Sequence, residues 1–115
     1  MLTAHSDIGK IKTLFIKNAE QAFISDAHIE KYWKELNYTG KPDYRKALKE
    51  YDMFQAVLKN QGAEIHLLPE DPSVNMDSIY CRDASIATNQ GMIICNMGKA
   101  GRMNEPLAEK KAFKA

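Results

Sequence analysis

The sequence predicts an α/β fold, with a small mixed sheet and helices on one face. Three observations predict it. Short apolar runs recur at Leu14-Phe15-Ile16 and at Ile65 and Leu67, two stretches of helical periodicity lie between them, and two further short runs are joined by Asn89-Gln90-Gly91 after a proline-containing loop. At 115 residues and 13.0 kDa the chain amounts to one domain, large enough to bury about two-thirds of its unfolded surface.

Met1 to Gly9 is small, polar and aperiodic, so residues 1–10 are expected to form a flexible tail and residues 11–115 the single α/β module. Ile11 to Lys17 reads as the first strand, because its apolar run is flanked by lysines. From Ser25 onward, Ile29, Tyr32, Trp33 and Leu36 recur at i, i+3, i+4 and i+7. They predict a short amphipathic helix capped by Ser25 or Asp26 and ended by Asn37 to Pro42. Asp43 opens a longer helix with Ala47, Leu48, Tyr51, Phe54, Val57 and Leu58 as one apolar stripe, expected in the core. Gly62 stops it, since a glycine there can take the left-handed conformation that ends a helix, and Ala63 to Leu68 comes next as a strand. Pro69 and Pro72 open a loop. Ala84 to Thr88 and Met92 to Asn96 form a hairpin whose turn needs Gly91, and Leu107 to Lys114 ends the chain as a helix with Pro106 in its first turn.

This order predicts parallel pairing of the first two strands through a crossover, with the hairpin extending the same sheet. One sheet face and one edge then lack cover, and the last helix has little to pack on. The expected remedy is a homo-oligomer or further C-terminal modules.

The 16 Lys and Arg nearly cancel the 15 Asp and Glu, so no global field favours nucleic acid or an anionic membrane. No apolar run approaches the roughly 18 residues of a bilayer span, and Met1 to Lys12 lacks a signal-peptide core, so a cytoplasmic chain is expected. Cys81 and Cys95 lack CxxC spacing and are expected as reduced thiols. His66 has no second histidine at ligand spacing, so neither a metal site nor a cofactor is predicted.

The residues that carry chemistry lie between Asp77 and Glu105. Asp83 sits where a loop becomes a strand, a place from which a scaffold presents a side chain. A carboxylate there suits a planar guanidinium, whose parallel N–H donors match its two oxygens. Asp77 offers a second acceptor, and Arg102, in a loop loosened by Gly98 and Gly101, could hold a ligand carboxylate. Plainer readings stand beside these. Arg82 and Asp83 could be a surface ion pair, Asp77 the acceptor of a local turn with Ile79, and Arg102 and Glu105 an i, i+3 pair at a helix start.

A strand-ending Arg82-Asp83, then Ala84 to Thr88 and Gly91 to Cys95 as a hairpin, then Arg102-Met103-Asn104-Glu105 after a glycine-containing loop resembles the N-terminal part of the guanidino-group modifying (pentein) superfamily. That superfamily includes dimethylarginine dimethylaminohydrolases, deiminases and amidinotransferases. The resemblance implies about one ββαβ module of a five-bladed α/β propeller, less than half of a typical member. It makes Asp83 the acid that holds the guanidinium and Asp77 an auxiliary acid. Arg102 becomes the contact to the substrate carboxylate or the organiser of the entrance, with Arg82 and Glu105 completing the substrate-binding set. Family members attack the guanidinium carbon with a C-terminal cysteine aided by a histidine from a middle module. Cys81, Cys95, His5, His28 and His66 match neither position, so no catalytic residue is assigned. The expectation is thus a truncated or degenerate module that binds an arginine-like molecule and is inactive alone. If a further segment completes it, the activity would be that of a hydrolase or amidinotransferase acting on a guanidino group. The alternative is a non-enzymatic assembly protein that oligomerises through its exposed sheet.

Overall fold

The computed structural model describes residue 6 and residues 8–115. The expected tail therefore falls largely outside the described residues. Strand β1 (Thr13–Ile16) is followed by α1 (Ala19–Phe23), α2 (Asp26–Tyr32), α3 (Tyr44–Asn60), β2 (Glu64–Leu67), two 3-10 turns (Met76–Ile79 and Cys81–Asp83), β3 (Ser85–Thr88), β4 (Gly91–Ile94), a third 3-10 turn (Ala100–Arg102) and α4 (Glu105–Lys114). The mixed α/β class is the one predicted. Among the described residues no helix is long and apolar enough to cross a membrane.

β1 and β2 pair in parallel, with Thr13 opposite Glu64 and Ile16 opposite Leu67. β3 and β4 pair antiparallel, with Ser85 opposite Ile94 and Thr88 opposite Gly91. The hairpin does not extend the first sheet; the two form separate two-stranded sheets. The segment between them explains the separation. Its backbone donors are used locally, Ser78 N–H to the Asn75 carbonyl, Tyr80 to Asp77, Asp83 to Tyr80 and Ala84 to Cys81, so it offers no continuous ladder to a neighbouring strand.

Helix α1 has no counterpart in the sequence pattern. Asn18 caps it by accepting from Gln21 N–H at 2.9 Å, but five residues are too few to display a periodicity. It ends at Ile24, which has φ 68° and ψ −57°, and Ser25 N–H donates to the Phe23 carbonyl at 2.7 Å. That is a γ-turn of the rare positive-φ kind, strained for a β-branched residue. The predicted caps of the next two helices are present: Ser25 accepts from His28 N–H at 3.1 Å and Asp43 from Lys46 N–H at 2.9 Å. At the end of α3, Gly62 takes φ 85° while Ala63 N–H donates back to the Leu58 carbonyl, the bond that closes a Schellman cap.

The core is Ala19, Ala22, Phe23, Ile29 and Met76, with Tyr32, Trp33, Leu36, Tyr38, Ala47, Leu48 and Tyr51 packed around it. The stripe of α3 is thus only half covered. Of its residues Phe54 and Val57 remain 48% and 57% exposed, because α1 and α2 are too short to reach along the whole of α3. α4 is better anchored than expected: Glu105, Pro106 and Glu109 are buried, and Phe113 meets Phe15 edge to face with centroids 4.9 Å apart. Met76 links this core to the loop beyond β2, since it is fully buried and fixes the segment that carries Asp77.

Candidate functional site

The guanidinium of one predicted site residue, Arg102, gathers three of the other four, Asp83 and Glu105 by their carboxylates and Asp77 by its backbone carbonyl. Arg102 Nε and Nη2 each donate at 2.8 Å to the two oxygens of Glu105, and Nη1 donates to Asp83 at 2.9 Å. Nη2 also donates to the Tyr80 and Asp77 carbonyls, and the group lies 5.9 Å from the Tyr80 ring centroid. The Arg102 side chain is only 12% exposed, and the bonds to Glu105 hold its proton more firmly than in free arginine. Its donors are therefore mostly committed inside the chain. Arg102 is placed to organise the 77–83 segment, and the i, i+3 pair with Glu105 is real. The fifth residue, Arg82, is exposed and stands outside this network.

Asp83 is 53% exposed, with one carboxylate oxygen on Arg102. Asp77 is different. Its side chain is 7% exposed and its Oδ2 accepts from Lys99 Nζ at 2.7 Å, while the acceptor of the local turn is Asn75, which takes the Asp77 N–H at 2.8 Å, and not the Asp77 carboxylate that the sequence suggested. Around this point three carboxylates, Asp77, Asp83 and Glu105, meet two cations, Lys99 and Arg102.

Sequence reasoning missed Lys99 and a second cluster on the other side of the same segment. There Lys17, Ser78, Glu105 and Glu109, all buried, line a cavity of about 20 Å³ together with Leu68 and Asp71, enough for a water molecule. Lys17 Nζ donates to the Pro69 carbonyl and Ser85 Oγ donates to Glu109 at 2.6 Å, while Ser78 Oγ has no hydrogen-bond partner among the described residues. The spacing of Glu105 and Glu109, four apart on one helix, was the available signal. Lys17 comes directly after an apolar run and gave none.

Burial pulls the Lys17 ammonium below its ordinary value and pushes the Glu109 carboxyl above its own, against the Ser85 bond. Between the ordinary carboxylate value, 4.5, and the raised one, the folded chain holds the Glu109 proton more tightly than the unfolded chain. Glu109 therefore contributes a loss of stability as pH rises through that window. Glu109→Gln keeps an acceptor for Ser85 and should remove that loss, so the variant gains on the wild type from pH 4 to pH 7 in urea melts. Parallel curves for the two proteins would disprove it. Cys81 is half-buried, and burial raises its thiol, the wrong direction for a nucleophile.

These acids and the arginine, set where a loop enters a hairpin, are the arrangement on which the resemblance rests. The sequence model described as "N,N dimethylarginine dimethylhydrolase, eukaryotic" matches residues 17–113. The chain belongs to the dimethylarginine dimethylaminohydrolase family. It is 33% identical over 69 residues to the N(G),N(G)-dimethylarginine dimethylaminohydrolase of Pseudomonas aeruginosa, an alignment that covers 60% of this chain and 27% of that relative. Two crystal structures of dimethylarginine dimethylaminohydrolase share the fold. The adduct with 4-chloro-2-hydroxymethylpyridine has a TM-score of 0.66 at 24% identity, over 89% of this chain and 36% of that one. The adduct of a histidine-to-glycine variant with S-methyl-L-thiocitrulline has a TM-score of 0.65 at 24% identity, over 89% and 37%. The chain thus spans little more than a third of the solved family chains.

Proposed function

We propose that this chain supplies the guanidinium-holding side of a dimethylargininase-like site, with arginine or a close relative as ligand and without a complete catalytic machinery of its own. The observation that carries the proposal is the surplus of acid: three carboxylates face two internal cations, and Asp83 is the acid left open to solvent. With one oxygen on Arg102, Asp83 can turn the other to a ligand guanidinium, a charge-assisted bond. Asp77 is the deeper acid. Glu105 acts through Arg102, which positions Asp83, and the exposed Arg82 is the cation that a ligand carboxylate can reach. Completed by a further segment or chain, the site would hold the guanidinium still while a cysteine supplied there attacks its carbon.

Calorimetric titration with L-arginine, agmatine and citrulline tests the binding half. The two guanidino compounds should bind and the uncharged citrulline should bind less, with Asp83→Ala weakening arginine about tenfold or more. No heat at millimolar arginine, or an unchanged affinity in the variant, would sink the proposal.

One observation favours assembly as a second reading. Ile86 and Ile93 pair across the hairpin while 55% and 54% exposed, an apolar surface that suits a second copy or a further module. A stable symmetric oligomer in light scattering, with no affinity for guanidino compounds, would support this reading over the first.

A further inference from the structure

The cavity behind the 77–83 segment is lined from three elements at once. Lys17 follows β1, Ser78 lies in the 3-10 turn beside Asp77, and Glu109 comes from α4. All three are buried, at 3%, 6% and 6% exposure, and each has hydrogen-bonding capacity left over. Lys17 commits one of its three N–H donors to the Pro69 carbonyl, and Glu109 takes the Ser85 hydroxyl on one of its two oxygens. Ser78 Oγ, more than nine-tenths buried with its residue, has no hydrogen-bond partner among the described residues. A buried hydroxyl without a partner is costly, so the cavity calls for an occupant that hydrogen-bonds it.

We propose that one water molecule is a resident part of this fold, bound by Lys17, Ser78 and Glu109, and that it pins the segment carrying Asp77 and Asp83 to α4. The size fits one molecule: the cavity holds about 20 Å³, against roughly 10–15 Å³ for a single water. The charges fit a neutral one, since Lys17 repels a bare cation while Glu105 and Glu109 repel an anion. Water also matches the pattern of partners. It accepts from the Lys17 ammonium and donates to the Glu109 oxygen and to Ser78 Oγ, three bonds, the usual number for a buried water. Arg102 holds the same segment from its other side, through the Asp77 and Tyr80 carbonyls. The water does so whether or not a ligand reaches Asp83, so its presence does not depend on the guanidinium reading.

The test is oxygen-17 relaxation dispersion of water, which counts long-lived internal molecules, on the wild type, Ser78→Thr and Ser73→Thr. Ser78→Thr keeps the hydroxyl but puts a methyl group where the water would sit, and Ser73→Thr makes the same change at an exposed position. Ser78→Thr should lose one long-lived water and exchange its Tyr80 and Asp83 amide protons about tenfold or more faster, with the α3 amides unchanged, while Ser73→Thr should match the wild type. Equal water counts in the wild type and Ser78→Thr overturn the site. A lost water with unchanged exchange at Tyr80 and Asp83 overturns the pin. If Ser78→Thr does not fold, the wild type decides: the Val74 and Ala108 methyl protons, which line the cavity, must show cross-relaxation with a long-lived water, and its absence overturns the proposal.

Discussion

Arg102→Ala is expected to lose about 3–5 kcal/mol of stability, because it leaves the Glu105 carboxylate buried and unpaired. Both oxygens of that carboxylate are satisfied by the arginine fork, and the same group ties the Tyr80 and Asp77 carbonyls to the start of α4. Arg102→Lys should recover little, since an ammonium cannot reproduce two parallel donors. Arg102→Met combined with Glu105→Leu should recover much of the loss, because the desolvation penalty then disappears from both partners. Urea denaturation of the three variants checks the set. A loss below about 1 kcal/mol in Arg102→Ala would mean the network behaves as a surface ion pair.

Ile29→Ala should cost a similar amount, about 2–5 kcal/mol, and Ile29→Val about 0.5–1.5 kcal/mol. Ile29 is fully buried, in contact with the cluster formed by α1 and Met76, so its truncation opens a cavity under the segment that carries Asp77. Ile93→Ala removes the same kind of side chain from a position 54% exposed and should stay within about 0.5 kcal/mol of the wild type. The contrast separates burial from hydrophobicity. Equal urea midpoints for the Ile29 and Ile93 alanine variants would contradict the core assignment.

The long-range architecture was legible where the signal was periodic or stereochemical. α3, with a cap at Asp43 and a stop at Gly62, and the parallel pairing of β1 with β2 come from spacing and turn chemistry. α1 was not legible, because a five-residue helix ending in a strained Ile24 carries no periodicity. The split into two sheets was hidden because nothing in Pro69 to Asp83 advertises 3-10 turns that keep their own hydrogen bonds. In the site, sequence order named Asp77, Arg82, Asp83, Arg102 and Glu105, and the fold brings Asp77, Asp83 and Glu105 to the Arg102 guanidinium while Arg82 stays outside. It gave no hint that Arg102 spends its donors internally, nor that Lys99, 22 positions along, closes onto Asp77, since side-chain saturation is a property of tertiary packing.

The pairing of Thr13 with Glu64 joins residues 51 positions apart, while the hairpin closes from Thr88 directly onto Gly91. Loop-closure entropy rises with the logarithm of the separation, so the parallel pair is the costlier contact to nucleate and the hairpin the cheaper. During synthesis from the N-terminus, β1 leaves the ribosome with its edge bare and stays so until about fifty further residues have emerged. β1 thus waits longer for its partner than either strand of the hairpin does.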